Sequence, residues 1–178
     1  MSEPLSSRLA TPADIPALKV LMERSISLLL PAFLSPEEVT ASHEVMGLDT
    51  QLIADGTYFV IETEGAIAGC GGWSRRATLF GGDHTSGRDA ALLDPATEAA
   101  RVRAMYTDPD FTRRGVGRLI LSLCEARAAA EGFKRCEMAA TMGGEPLYAA
   151  CGYHRIEPFE AVTSNGVRVP LVRMGKAL

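Results

Sequence analysis

Tyr106-Thr107-Asp108-Pro109-Asp110-Phe111-Thr112-Arg113-Arg114-Gly115-Val116-Gly117-Arg118 decides how the rest of the chain is read. It follows a stretch, roughly Ala100 to Thr107, that reads as a strand. It precedes a stretch in which Val116, Leu119, Ile120, Leu123 and Cys124 recur at helical spacing. Two glycines just inside a helix N-terminus let the backbone approach a ligand, and the free N–H groups there favour an anion. Arg113, Arg114 and Arg118 add positive charge to the same turn. The stretch therefore reads as a phosphate or pyrophosphate cradle, against the plainer alternative of a glycine-bearing turn with solvated arginines. A Walker A loop is excluded because Arg118-Leu119 follows Gly117, and a dinucleotide fingerprint because Ile120 stands where its third glycine belongs.

Working outward, the spacing of Ile15, Leu18, Leu21/Met22 and Ile26 predicts a first helix, capped by Thr11 or, better, by Asp14, and stopped at Pro31. Ser35-Pro36-Glu37-Glu38 predicts a second, opened by a capping box. Strands are expected near Tyr58–Ile61 and Ala66–Arg75, the second with Gly69, Gly71 and Gly72 marking close backbone approach or a bulge. Residues 76–97 read as a long loop, followed by a strand over about 100–107 and the helix after the cradle. A strand over 135–140, a short helix from Glu145-Pro146 and a hairpin around Ser164-Asn165-Gly166 complete the chain. That order predicts a mixed α/β layer with a central sheet, in one domain spanning 1–178.

The 178 residues, 47% hydrophobic with formal net charge −4, suit an ordinary globular domain and exclude a disordered or collagen-like chain. No run approaches the roughly 18 apolar residues of a membrane span. No signal peptide is visible at residues 1–9, so a cytoplasmic location is expected. The acidic balance, 18 Lys and Arg against 22 Asp and Glu, argues against nucleic-acid or anionic-membrane partners. Cys70, Cys124, Cys136 and Cys151 show no metal-ligand spacing. They read as reduced, mostly buried thiols, and no metal is expected.

The cradle spacing resembles the signature of the GNAT superfamily of N-acetyltransferases, in which Arg/Gln-x-x-Gly-x-Gly/Ala opens the helix that holds the pyrophosphate of acetyl-CoA. Thr112 stands where Arg or Gln is commonest. Pro146-Leu147-Tyr148-Ala149-Ala150-Cys151-Gly152-Tyr153 is similar to the family's second motif, and the element order matches over nearly the whole chain. The resemblance implies a GNAT-like α/β (α+β) domain, with a mixed central sheet of about six to seven strands flanked by about four helices. It implies acetyl-CoA as co-substrate, held by Met105, Tyr106 and Thr107 on the strand, by Arg113, Arg114, Gly115, Val116, Gly117 and Arg118 in the cradle, and by Thr141.

The same resemblance implies direct transfer to a primary amine of a small molecule or peptide, in a ternary complex and without a covalent acetyl-enzyme. Tyr148 would be the general acid that protonates the departing thiolate, and the Tyr106 backbone N–H the oxyanion donor. Arg101 and Arg103 occupy the strand on which some relatives carry a basic Glu. This leaves Glu98, His84 and His43 as weak general-base candidates, or a water relay. Trp73 is a weak candidate for the acceptor pocket wall. A non-catalytic acyl-CoA-binding sensor is the alternative, and homodimers are frequent among relatives.

Charge is unevenly spread. Residues 1–64 carry 10 acidic and 3 basic residues, whereas 65–178 carry 12 acidic and 15 basic. The basic excess coincides with the cradle. The acidic excess coincides with the segment expected to receive the acceptor, which suggests a cationic amine.

Overall fold

The computed structural model describes residues 3–178. After strand β1 (Ser6–Leu9) comes α1 (Ile15–Leu29), then α2 (Pro36–Val45) and α3 (Thr50–Ala54). Strands β2 (Tyr58–Thr63), β3 (Ala66–Ser74) and β4 (Ala100–Thr107) precede α4 (Val116–Ala130), and β5 (Arg135–Thr141) precedes α5 (Glu145–Ala150). The hairpin β6 (His154–Val162) and β7 (Arg168–Ala177) closes the chain. The seven strands form one sheet in the order β1-β2-β3-β4-β5-β7-β6, so the expected α/β layout with a mixed sheet holds. Among the described residues no helix is long and apolar enough to cross a membrane.

Five α-helices stand where about four were expected. The addition is α3, only five residues long and capped by the Asp49 carboxylate, which accepts from Gln51 N–H at 3.0 Å. A single turn is too short to show a helical period, although Asp49-Thr50 carries a start signal. The start of α1 also differs. Asp14 already has helical torsions, and the extended residue is Thr11, ahead of a 3₁₀ turn over Pro12–Asp14. Asp14 reaches back to accept from Thr11 N–H at 2.7 Å and is gripped by Arg8 at 2.8 Å. Asp14 is thus the returning partner of the cap rather than the cap itself. The expected box at α2 is present: Ser35 Oγ accepts from Glu38 N–H at 3.2 Å, and Glu38 accepts from Ser35 N–H at 2.9 Å.

Strand alternation divides the core between the two sheet faces. Phe59 and Ile61 join Ile120, Leu121 and Cys124 of α4 on one face. Tyr58 and Val60 join Leu18, Leu21, Met22 and Ile26 of α1 on the other. The glycines of β3 serve both kinds of close approach that they suggested. A side chain at Gly69 or Gly71 would collide with Val116 or Ile120, so these glycines let α4 settle directly on the sheet. Gly72 lies against the Thr57–Tyr58 backbone, beside a register shift between Cys70 and Gly72.

Opposite that shift, β4 bulges at Ala104, a non-glycine residue at φ 50°. A bulge reverses the parity of a strand. Before it, Ala100 and Val102 face α4; after it, Tyr106 faces α1.

Candidate active site

β4 and β5 are parallel neighbours, yet their register covers only Ala100↔Cys136 and Arg101↔Glu137. Beyond those two rungs the strands splay. The opening is a cleft of about 960 Å³ between α1, the turn after it, the 79–81 segment, the cradle loop and the β5–α5 turn. The closed end is stitched by charge: Glu137, buried, receives Arg101 at 3.0 Å and Arg173 at 2.6 Å.

The cradle forms as its residue types dictate. Asp108 caps a 3₁₀ turn over Pro109–Phe111, accepting from Asp110 N–H at 2.9 Å. Arg24 of α1 ties this turn down through Asp108 at 3.1 Å and Asp110 at 3.0 Å. The chain then passes through two left-handed residues, Arg113 at φ 63° and Gly115 at φ 86°, and enters α4. Gly115 at its N-cap offers no side-chain hydrogen bond. Val116, Gly117 and Arg118 thus begin a helix whose first N–H groups have no partner within it. Helix dipole and uncapped donors make this end a seat for an anion.

The three cradle arginines differ. Arg113 and Arg118 are exposed and line the cleft. Arg114 instead pairs with Glu64 and lies over the Phe111 ring at 5.1 Å, which makes it a brace for the loop. The two glycines differ as well. Gly115 supplies the left-handed turn, whereas a side chain at Gly117 would run into Leu147 of α5, so Gly117 admits α5 against α4.

Tyr148, on α5, lines the cleft beside Thr141, Gly143 and Gly144. Its ring meets that of Tyr153 edge-on at 6.3 Å. No protein group hydrogen-bonds its phenol among the described residues, and burial pushes its pKa well above the ordinary tyrosine value. It therefore stays protonated through the neutral range. The Thr141 hydroxyl accepts from Gly144 N–H at 3.1 Å, holding the β5–α5 turn while keeping its own proton to donate.

Other expected residues are placed differently. Asp108 N–H donates to Ala68 O at 2.9 Å, and Tyr106 pairs with Cys70 two positions along the same antiparallel ladder. Alternation turns the Tyr106 N–H into that ladder and not into the cleft, so it does not serve as oxyanion donor. The amides turned toward the open side are those of Met105 and Thr107. The Tyr106 side chain points through the sheet, where its hydroxyl accepts from Gly47 N–H at 2.9 Å.

Glu98 lies outside the cleft, at the far end of β4, where its carboxylate accepts from Asp94 N–H at 2.7 Å. Trp73 is 2% exposed in the core beneath α4, edge-on to Phe133 at 6.0 Å, and does not line the cleft. His84 spans 2.8 Å to the His43 carbonyl, and His43 sits beside Ser27 and Glu23. Neither histidine lines the cleft. Burial pushes the Cys70 and Cys136 thiols up to about 12, so neither supplies a thiolate nucleophile.

Five of the ten acidic residues of 1–64 are held by arginines. Glu62 and Asp14 share Arg8, Asp55 holds Arg76, Asp49 holds Arg88 and Arg103, and Glu64 holds Arg114. These pairs engage half of the acidic residues on which a cationic acceptor was expected. They also pin the 76–98 loop, since Arg76 and Arg88 belong to it. Among the described residues lining the cleft there is no Asp, Glu, His, Lys or Cys. Leu28, Phe33, Met46 and Leu79 line it instead. No motif or spacing singles these four out in the sequence; they are scattered through otherwise ordinary helix and loop segments.

The profile of the acetyltransferase (GNAT) family matches residues 24–153. No curated relative matches the sequence. Among solved structures, the chain is similar to a GCN5-related N-acetyltransferase from Rhodopseudomonas palustris at 18% identity and TM-score 0.72, covering 100% of this chain and 98% of that one. The PaiA N-acetyltransferase from Thermoplasma acidophilum, solved in complex with coenzyme A, aligns at 11% identity and TM-score 0.65 over 98% and 99%. A phosphinothricin acetyltransferase from Sinorhizobium meliloti, in complex with acetyl-CoA, aligns at 18% identity and TM-score 0.65 over 98% and 88%.

Proposed function

The chain belongs to the acetyltransferase (GNAT) family, and from that premise we propose that it is an acetyl-CoA-dependent N-acetyltransferase acting on a primary amine by direct attack in a ternary complex. One observation carries the reading: a single cleft has an uncapped helix N-terminus at one end and a protonated, unbonded phenol in its wall.

Acetyl-CoA supplies an activated thioester and a diphosphate. The N–H groups of Val116, Gly117 and Arg118, with the Arg113 and Arg118 guanidinium groups, would hold the diphosphate. The Met105 and Thr107 amides, on the open edge of β4, would bind the pantetheine arm and the acetyl oxygen. Such donors, aimed where negative charge develops, stabilise an oxyanion. Tyr148 keeps its proton at neutral pH and would give it to the departing thiolate. The proposed setting is the cytoplasm, in keeping with four free cysteines.

Tyr148→Phe separates this enzyme from a non-catalytic acyl-CoA sensor. The variant should lose about 10²–10⁴ in kcat, roughly 3–5 kcal/mol of transition-state stabilisation, with acetyl-CoA affinity within about twofold of wild type. Thiol release followed with a chromogenic reagent, beside calorimetric binding, decides between them. Equal turnover by both proteins would remove Tyr148 as the acid. A wild type that binds acetyl-CoA but releases no thiol with any amine would leave the sensor.

A further inference from the structure

Resting on the acetyltransferase reading, we infer that the acceptor is an amine borne on an apolar group, aromatic or branched aliphatic, which enters the cleft uncharged. The walls away from the cradle come from four separate segments, represented by Leu28 and Phe33, by Met46, by Leu79 and by Leu171. Leu28 is 60% exposed and Phe33 51%, both at the opening, so apolar surface there is uncovered in the free protein. Phe33 also leans over Gly143, on the opposite wall. A ligand that covers this surface gains by removing it from water, and a strongly hydrated one does not.

Charge points the same way. The charged side chain at this end of the cleft is Arg103, 3% exposed and already committed to Asp49 at 3.1 Å and the Gly81 carbonyl at 2.6 Å. An ammonium arriving here would meet a guanidinium and no carboxylate, losing its hydration without a partner. Acidic and imidazole groups on neighbouring segments are turned to other work. Asp49 faces Arg88 and Arg103, Glu44 accepts from Ser164, and His43 lies with Glu23 and Ser27. With no lining side chain able to take a proton from the amine, the cleft selects molecules that arrive as free base. That favours weakly basic amines such as arylamines, or α-amino groups with pKa near roughly 7.7–8.0, over lysine-like amines near about 10.4.

A matched acceptor panel tests this: an arylamine, an arylalkylamine, a leucine amide, a lysine amide and a polyamine. Thiol release is measured across pH, with acetyl-CoA binding measured separately by calorimetry. The apolar members should exceed the polyamine by about 10²-fold or more in kcat/KM. For each acceptor, kcat/KM should rise with pH and level off at that amine's own pKa. Leu28→Asp, a substitution on an exposed helix face, should narrow the preference about tenfold at unchanged acetyl-CoA affinity. A preference for the polyamine, or one break near neutrality shared by all acceptors, would overturn the inference while leaving the acetyltransferase intact. Failure to bind acetyl-CoA would overturn the function itself, and the inference with it.

Discussion

The two ends of the cleft are built on opposite principles. The cradle end is one continuous stretch, Asp108 to Arg118, in which each residue type acts locally. Asp108 caps, Gly115 makes the left-handed turn, and Val116 onward supplies free donors. The acceptor end is assembled from α1 and its following turn, from the 45–47 and 79–81 segments, and from β5 and β7. Its character comes from what converges there. In the proposed function, backbone donors and exposed arginines would bind the invariant anionic group of acetyl-CoA, whereas a convergence of apolar side chains can change its preference one residue at a time. On that reading, binding of the co-substrate and choice of the acceptor would be kept apart in space.

That separation can be broken by experiment. The largest effect is expected from Arg113→Glu combined with Arg118→Glu. It should weaken acetyl-CoA binding by about 10–100-fold, because two like charges then face the diphosphate at the helix end. Acceptor KM at saturating acetyl-CoA should stay unchanged; an equal rise in both would show that the ends are not independent. Phe33→Ala should lower kcat/KM for an apolar acceptor about tenfold and leave acetyl-CoA affinity alone, as expected for lost apolar contact. The smallest effect is from salt. Raising ionic strength should weaken acetyl-CoA binding severalfold by screening and leave the KM of an uncharged acceptor level or slightly lower. If both constants rise together with salt, charge also governs the acceptor end.

The same contrast explains what was legible in the sequence. The cradle, the α2 capping box and the glycine code of β3 are local chemistry, readable because the residues that interact are neighbours or because glycine marks a backbone contact. Gly117 shows the limit. Its presence was legible, but its reason, the Leu147 side chain of α5, depends on tertiary packing. Tyr106 shows another. Which way its N–H points depends on the register with Cys70 beyond a bulge, and a one-residue shift inverts the answer. The excess of acid in residues 1–64 is plain in the sequence. Its partners, Arg76, Arg88, Arg103 and Arg114, come from later in the chain, and no composition shows that pairing. Glu98 and Trp73 stand out only by nearness in sequence and by residue type, and the fold sends one to a turn and the other to the core.

α1 carries Arg24 and Leu28 one turn apart on the same helical stripe. The first grips the loop that leads into the cradle, and the second stands at the acceptor opening. The helix is therefore a lever with one hand on each compartment. One helix thus supplies structure to both ends of the cleft, so the two share a scaffold although they share no binding group.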